Sequence, residues 1–150
     1  MGADKRKPKK RAKSRPEVET GGPVKDPGPP YAALWHPAAA AERDASWPAG
    51  EKVTMLHAGQ KLQAAGPRLG HPHSSAVRGE MGKGFRELRP RAGRSRWRPI
   101  YRRVNPSTFV IFAVAPEAEI DSRGYDAAVA RAVERFGQLE VDSGLAWNRR

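Results

Sequence analysis

The chain has 150 residues, enough for one domain with a sizeable core. It carries a net charge of +12 and no cysteine, which excludes disulfides, thiolate catalysis and cysteine-based zinc sites. No apolar run approaches membrane-spanning length, and no apolar stretch follows the basic N-terminus as in a signal peptide, so a cytoplasmic location is expected.

Residues 1–30 hold nine Lys/Arg against four Asp/Glu and, besides Met1, only Val18 and Val24 as aliphatic side chains larger than alanine. Such a stretch cannot bury enough apolar surface to offset its ordering entropy, which predicts a disordered basic tail. The run Lys5–Arg15 reads as solvated. The domain is expected over residues 31–139, with a C-terminal tail over 140–150 in which Trp147 packs back onto the body. Residues 31–150 carry 19 Lys/Arg against 12 Asp/Glu, so the body is basic in its own right and suits polyanionic partners.

Tyr31–His36 reads as a short strand. Pro37 opens an alanine-rich helix to Ser46, since proline fits the first turn and alanine has the best helix propensity. Trp47–Pro48 breaks the chain. Ala49–Ala65 reads as a second helix with Val53, Leu56 and Leu62 on one face, ended by Gly66–Pro67. Residues 67–84 read as loop. Phe85–Arg89, Trp97–Val104 and Phe109–Ala115 are three strands, and their short connections predict antiparallel pairing. The most apolar run, Thr108–Val114, is expected at the centre of the sheet. Tyr125–Leu139 is the last helix: Tyr125, Val129, Ala132, Val133 and Phe136 recur at helical spacing, and Arg131, Glu134 and Arg135 take the other face. The order β-α-α-β-β-β-α predicts an α+β domain, with two N-terminal helices and a C-terminal helix packed on one side of a small curved antiparallel sheet.

The chemistry concentrates between Arg86 and Arg103. Eight arginines (86, 89, 91, 94, 96, 98, 102 and 103) stand against one acid, Glu87. Arginine suits phosphate because its planar fork donates bidentate hydrogen bonds and keeps its charge. Phe85, Trp97 and Tyr101 are interleaved, and aromatic rings stack on unpaired bases. Alternation along the strand places Arg98, Ile100, Arg102 and Val104 on one face and Trp97, Tyr101 and Arg103 on the other. Arg86, Arg91, Arg94, Arg96, Trp97, Tyr101, Arg102 and Arg103 are therefore candidates for RNA binding. His71 and His73 read as loop residues, and His36 and His57 as structural. The acids of Pro116–Asp121 read as a solvated loop or as partners of the arginines. No metal or other cofactor is implied.

These segments resemble a known family. GFRELR (84–89), WRPIYR (97–102), the strand TFVIFAV (108–114) and the helix from Tyr125 follow, in order, the motifs of phage-derived, HigB-like toxins of the RelE/ParE superfamily of type II toxin–antitoxin systems. The upstream LQAAGPRLGHPHSSAVRG resembles the family's approach to the sheet. The resemblance covers about residues 31–138. It implies a RelE-like fold, ribosome-dependent mRNA cleavage that inhibits translation, and a cognate antitoxin that masks the basic face. By motif position it implies catalytic roles for Arg98, Arg89 and Tyr125. Where many members carry further cations after the apolar strand, this chain has Pro116-Glu117-Ala118-Glu119. A ParE-like toxin that blocks a topoisomerase and a catalytically inactive relative that only binds RNA or a partner stay open beside the nuclease.

Overall fold

The computed structural model describes residues 28–142, apart from the side chain of Ser46. The expectations for the basic run Lys5–Arg15 and for Trp147 lie outside those residues, as does nearly all of the tail expected over 1–30. The order is β1 (Ala32–Trp35), α1 (Pro37–Ser46), α2 (Ala49–Ala65), β2 (Ser74–Ala76), β3 (Arg86–Leu88), β4 (Trp97–Asn105), β5 (Thr108–Pro116) and α3 (Ser122–Asp142). The fold is α+β, with three helices around one five-stranded mixed sheet in the order β1-β5-β4-β3-β2.

Local chemistry sets the helix ends. The His36 side chain accepts from the Ala38 N–H at 3.0 Å and caps α1, whose first residue is Pro37. Gly66 ends α2 at φ +56°, and a Cβ there would collide with the Tyr31 ring. Asp121 Oδ1 accepts from Gly124 N at 2.8 Å at the start of α3. Asn105 Oδ1 accepts from Ser107 N at 3.0 Å and closes the β4–β5 hairpin.

Several expectations change. The sheet is mixed, because β1 pairs with β5 in parallel, Ala32 opposite Thr108 and Trp35 opposite Ile111. Two helices and three strands separate β1 from β5, and a connection of that length permits parallel pairing where a hairpin does not. Ser74–Ala76, read as loop, forms β2 against β3. Its Ser-Ser-Ala sequence has no β-branched side chain, so only the partner strand defines it. The apolar strand β5 is second in the sheet and β4 is central. β5 is apolar throughout because both faces are covered, not because it lies in the middle.

Helices therefore pack on both faces rather than one. On one side Phe85, Ile100, Val104, Val110 and Phe112 pack on Tyr125, Ala128, Val129 and Ala132 of α3. On the other, Leu88, Tyr101, Phe109 and Ile111 pack on Ala39 of α1 and on Ala58 and Leu62 of α2. A third group joins Val114, Trp47 and Met55, with Trp35 and Trp97 against them. The register slips between Ile100, opposite Ala113, and Tyr101, opposite Ile111. β5 thus carries one extra residue, Phe112, and the bulge turns Phe112 and Ala113 toward the same helix. α2 buries Met55, Ala58 and Leu62, whereas Val53 and Leu56 are exposed. The helix has rotated relative to the stripe read from its branched residues, since Met55 fills the space between Trp47 and Val114.

Among the described residues, no strand lies beside the outer edge of β5 beyond Ile111. Charged side chains occupy it instead. Val114 N donates to Glu42 Oε1 at 3.0 Å, and Phe112 O accepts from Arg135 Nη1 at 2.7 Å. Arg131 Nη2 reaches Val114 O at 3.4 Å. Glu42 Oε2 binds Arg131 Nε at 2.9 Å and Arg135 Nη2 at 2.7 Å. Arg131 and Arg135, expected on the face of α3 opposite its apolar stripe, are therefore half-buried edge partners. They satisfy ladder groups that burial would otherwise leave unpaired.

Candidate RNA-binding site

The connection from β3 to β4 sets the site. Pro90–Gly93 forms a tight turn in which Arg91 (φ 56°, ψ 38°) and Ala92 (φ 55°, ψ 36°) are left-handed, followed by Gly93 at φ +92°. Left-handed backbone costs an L-residue about 1–2 kcal/mol, so two in succession need a rigid surrounding structure. A Cβ on Gly93 would also stand 2.7 Å from Arg89 Nη2, the movable end of a partly exposed side chain, so it is the positive φ that favours glycine here.

The surrounding structure is Arg98. Its side chain is 2 % exposed. Nη2 donates to Gly93 O at 3.2 Å and to Glu117 Oε2 at 2.9 Å. Nη1 donates to Trp97 O at 3.0 Å and to Ser95 O. From α2, Glu51 Oε1 accepts from Ser95 Oγ at 2.9 Å. One buried guanidinium thus holds the turn, the start of β4 and the loop after β5 together. Burial lowers the Arg98 pKa against the opposing pull of Glu117, and arginine keeps its charge regardless.

Behind Arg98 lies Glu87, itself buried. Glu87 Oε2 stands 3.7 Å from Arg98 Nε, 3.4 Å from Arg89 Nη1 and 3.2 Å from Ser75 Oγ. Glu87 Oε1 accepts from the Tyr125 hydroxyl. Tyr125 is 1 % exposed. Burial, then its bond to Glu87, pushes the phenol well above its ordinary pKa. The phenol stays protonated and acts as a donor to Glu87.

Arg98, Arg89 and Tyr125 are thus brought together, but around Glu87 inside the fold. Arg89 is partly exposed, with a buried Nε–H that has no acceptor among the described residues. The other candidates separate into two groups. Arg91, Arg94 and Arg96 are exposed and project from the turn. Arg86, Tyr101 and Arg102 serve packing, while Arg103 is exposed and held along the hairpin. Arg86 Nε donates to Ser74 Oγ at 3.0 Å, and the Tyr101 hydroxyl shares that oxygen at 2.7 Å. Arg102 lies over the rings of Phe85 and Phe136, at 5.1 and 4.5 Å. Arg103 donates to Pro106 O in the hairpin. Trp97 is half-buried, 6.1 Å from the Trp47 ring. Phe85 and Tyr101 are buried, so the aromatics interleaved with the arginines form core rather than a stacking surface. Among the described residues no group of acids and histidines could hold a metal ion, and no helix is long and apolar enough to cross a membrane.

Residues 45–119 match the family model described as phage derived protein Gp49-like (DUF891). The chain belongs to this family. The family falls in the RelE/HigB toxin-like group, in agreement with the motifs of 84–102. The matched half of the chain runs from the end of α1 to the loop after β5, and so contains the turn, Arg98 and both of its carboxylate neighbours. No curated protein and no solved structure matches the chain.

Pairing with the arginines was one of the two readings of the acids at Pro116–Asp121, and Glu117 does pair with Arg98, but sequence reading missed Glu87 and Glu42. Glu87 was visible as the lone acid among arginines, which is the signal that could have assigned it to them. Glu42 carries no such signal, because its partners lie 89 and 93 residues away.

Proposed function

We propose that this Gp49-like protein is the toxin of a type II toxin–antitoxin pair that inhibits translation by cleaving mRNA on the ribosome. The observation that carries the reading is the left-handed turn fastened by buried Arg98, which holds Arg91, Arg94 and Arg96 in solvent on a rigid base. Strained backbone over-determined by its surroundings is characteristic of functional loops. Arginines on a rigid base are pre-organised for phosphate and for the charge that develops when a 2′-hydroxyl attacks it. In this reading Arg98 and Tyr125 are positioning residues: they fix Glu87 and the turn and do not touch RNA.

A cognate antitoxin is proposed as the protein partner. An open groove of about 460 Å³ between β1 and α2, lined in part by Trp35, Met55 and the exposed Leu56, offers apolar contact beyond the basic turn. A second reading, inhibition by binding alone, is favoured by the burial of Arg98 and Tyr125 and by the pairing of Glu117 with Arg98. Conditional expression with mapping of mRNA 5′ ends separates the two. New ends within translated frames, absent when translation is blocked, are the expected result. Growth arrest without new ends selects the binding toxin, and no arrest by a folded, expressed protein removes both.

A further inference from the structure

The left-handed turn does more than expose its arginines. It turns Arg91 back toward α2, where the two elements enclose a small open hollow of about 140 Å³. Thr54, His57, Ala58 and Lys61 line it from the helix, and Arg91 from the turn. Positions 54, 57, 58 and 61 follow the three- and four-residue spacing that shares one helix face. Lys61 Nζ lies 3.5 Å from Nδ1 of His73, which adds a second imidazole at the rim.

The lining selects the ligand. Arg91, Lys61 and His57 supply donors, and no carboxylate lines the hollow to neutralise them. Thr54 Oγ already donates to Gly50 O at 3.1 Å, which leaves the cationic side chains as the donors. A hollow without acids does not attract a cation, and a single alanine does not suit an apolar ligand. A dense anion of tetrahedral size fits. The exposed Arg94 follows at the end of the same turn, so the next anion of one polymer would meet it.

We infer that the hollow between α2 and the Arg91 turn is a seat for one backbone phosphate of single-stranded RNA, held by Arg91, Lys61 and His57. The inference rests on the RNA-directed reading above for the polymer, and on the lining alone for the phosphate. It gives the strained turn a purpose, since that turn carries Arg91, which lines the hollow beside α2. It also assigns His57 and Lys61, which no motif singles out, to the RNA-binding surface.

The test uses the full chain, a fluorescent ten-residue oligouridylate and anisotropy over a range of salt. Lys61→Ala and Arg91→Ala are each expected to weaken binding about tenfold and to reduce the slope of log affinity on log salt by about 0.7, the share of one single-strand phosphate contact. Arg123→Ala, an exposed charge on α3, serves as a control for bulk charge and is expected to change affinity less than about twofold. Circular dichroism checks that each variant is folded. In parallel, inorganic phosphate is titrated while the His57 imidazole signals are followed by NMR, with His57→Gln for assignment. Oligouridylate binding that is equal in all variants overturns the seat and leaves the RNA reading standing. Saturable phosphate shifts at His57, lost in Lys61→Ala but with no oligouridylate binding, keep the phosphate seat and overturn its assignment to RNA together with the proposed function. Neither binding nor shifts overturns both.

Discussion

Glu42 of α1 and Arg135 of α3 meet at 2.7 Å across the open edge of β5, and each also bonds a backbone group of that strand. The pair acts as a substitute for a sixth strand, closing in side-chain chemistry what the sheet leaves unpaired. Glu42→Ala is expected to cost about 1–3 kcal/mol, because Val114 N–H and two guanidinium groups lose their shared acceptor. Urea denaturation measures it, and a midpoint unchanged from wild type would show that water replaces the carboxylate without loss.

The same carboxylate makes stability depend on acid pH. Burial pushes the Glu42 carboxyl up, but the hydrogen bonds from Arg135 and Val114 and the charge of Arg131 outweigh it and hold the group below its ordinary 4.5. A depressed folded-state pKa gives stability that is complete above the unfolded value and is lost as pH falls through the folded one. Below about pH 4.5, wild type should therefore lose stability more steeply than Glu42→Gln. Parallel acid titrations of the two proteins contradict this explanation if their slopes agree.

At the other end of the scale Tyr125 supplies the reverse linkage. Its folded pKa is raised, so its contribution is complete below the ordinary phenol value of 10 and declines above it. Above pH 10 the unfolded chain gives up this proton first, at about 1.4 kcal/mol per pH unit. Tyr125→Phe should be less stable at neutral pH, since Glu87 loses a donor, yet decline less steeply in alkali. Urea midpoints at pH 8 and at pH 11 provide the comparison.

The turn yields an inverted expectation for glycine. In a helix, Ala→Gly costs about 1 kcal/mol. At Ala92, with φ 55°, Ala92→Gly should be neutral or stabilising by up to about 1 kcal/mol, because the released strain offsets the added chain entropy. Gly93→Ala at φ +92° should destabilise through its backbone strain, since the Arg89 tip beside it can move away. A loss of more than about 1 kcal/mol in Ala92→Gly would mean that the left-handed conformation carries no strain.

Arg98 separates positioning from contact. Arg98→Ala leaves Glu87 and Glu117 without their buried partner and should cost about 3–5 kcal/mol. Arg98→Lys should recover little of this, since one ammonium cannot reproduce a fork that spans Gly93, Ser95, Trp97 and Glu117. Arg91→Ala should leave the thermal midpoint within about 2 °C of wild type, which corresponds to a surface change below about 0.5 kcal/mol. If Arg98→Ala is as stable as wild type but inactive, Arg98 contacts RNA directly.

The helices and the long hairpin were legible because their signals are local: Pro37 at a helix start, Gly66 at a helix end, Asn105-Pro106-Ser107 between two strands. The alternation of Arg98, Ile100, Arg102 and Val104 against Trp97, Tyr101 and Arg103 also survives in the structure. What sequence could not show depends on distant partners. β2 exists only against β3, and β1 is parallel only because of what lies between it and β5. An arginine reads as a cation wherever it stands, so nothing local distinguishes Arg98, wrapped in carbonyls, from Arg96, in solvent. Glu87 and Glu117 make that distinction, one eleven residues before Arg98 and the other nineteen after.

The bulged strand β5 is complete by Pro116, whereas the helix that covers Phe85, Ile100 and Phe112 begins at Ser122 and contributes Phe136 only near its end. During synthesis that apolar face must therefore wait, uncovered, for the last part of the fold to emerge. A chain interrupted in this interval would present a buried-type surface with no helix to close it, and association through that surface is the failure this order of assembly invites.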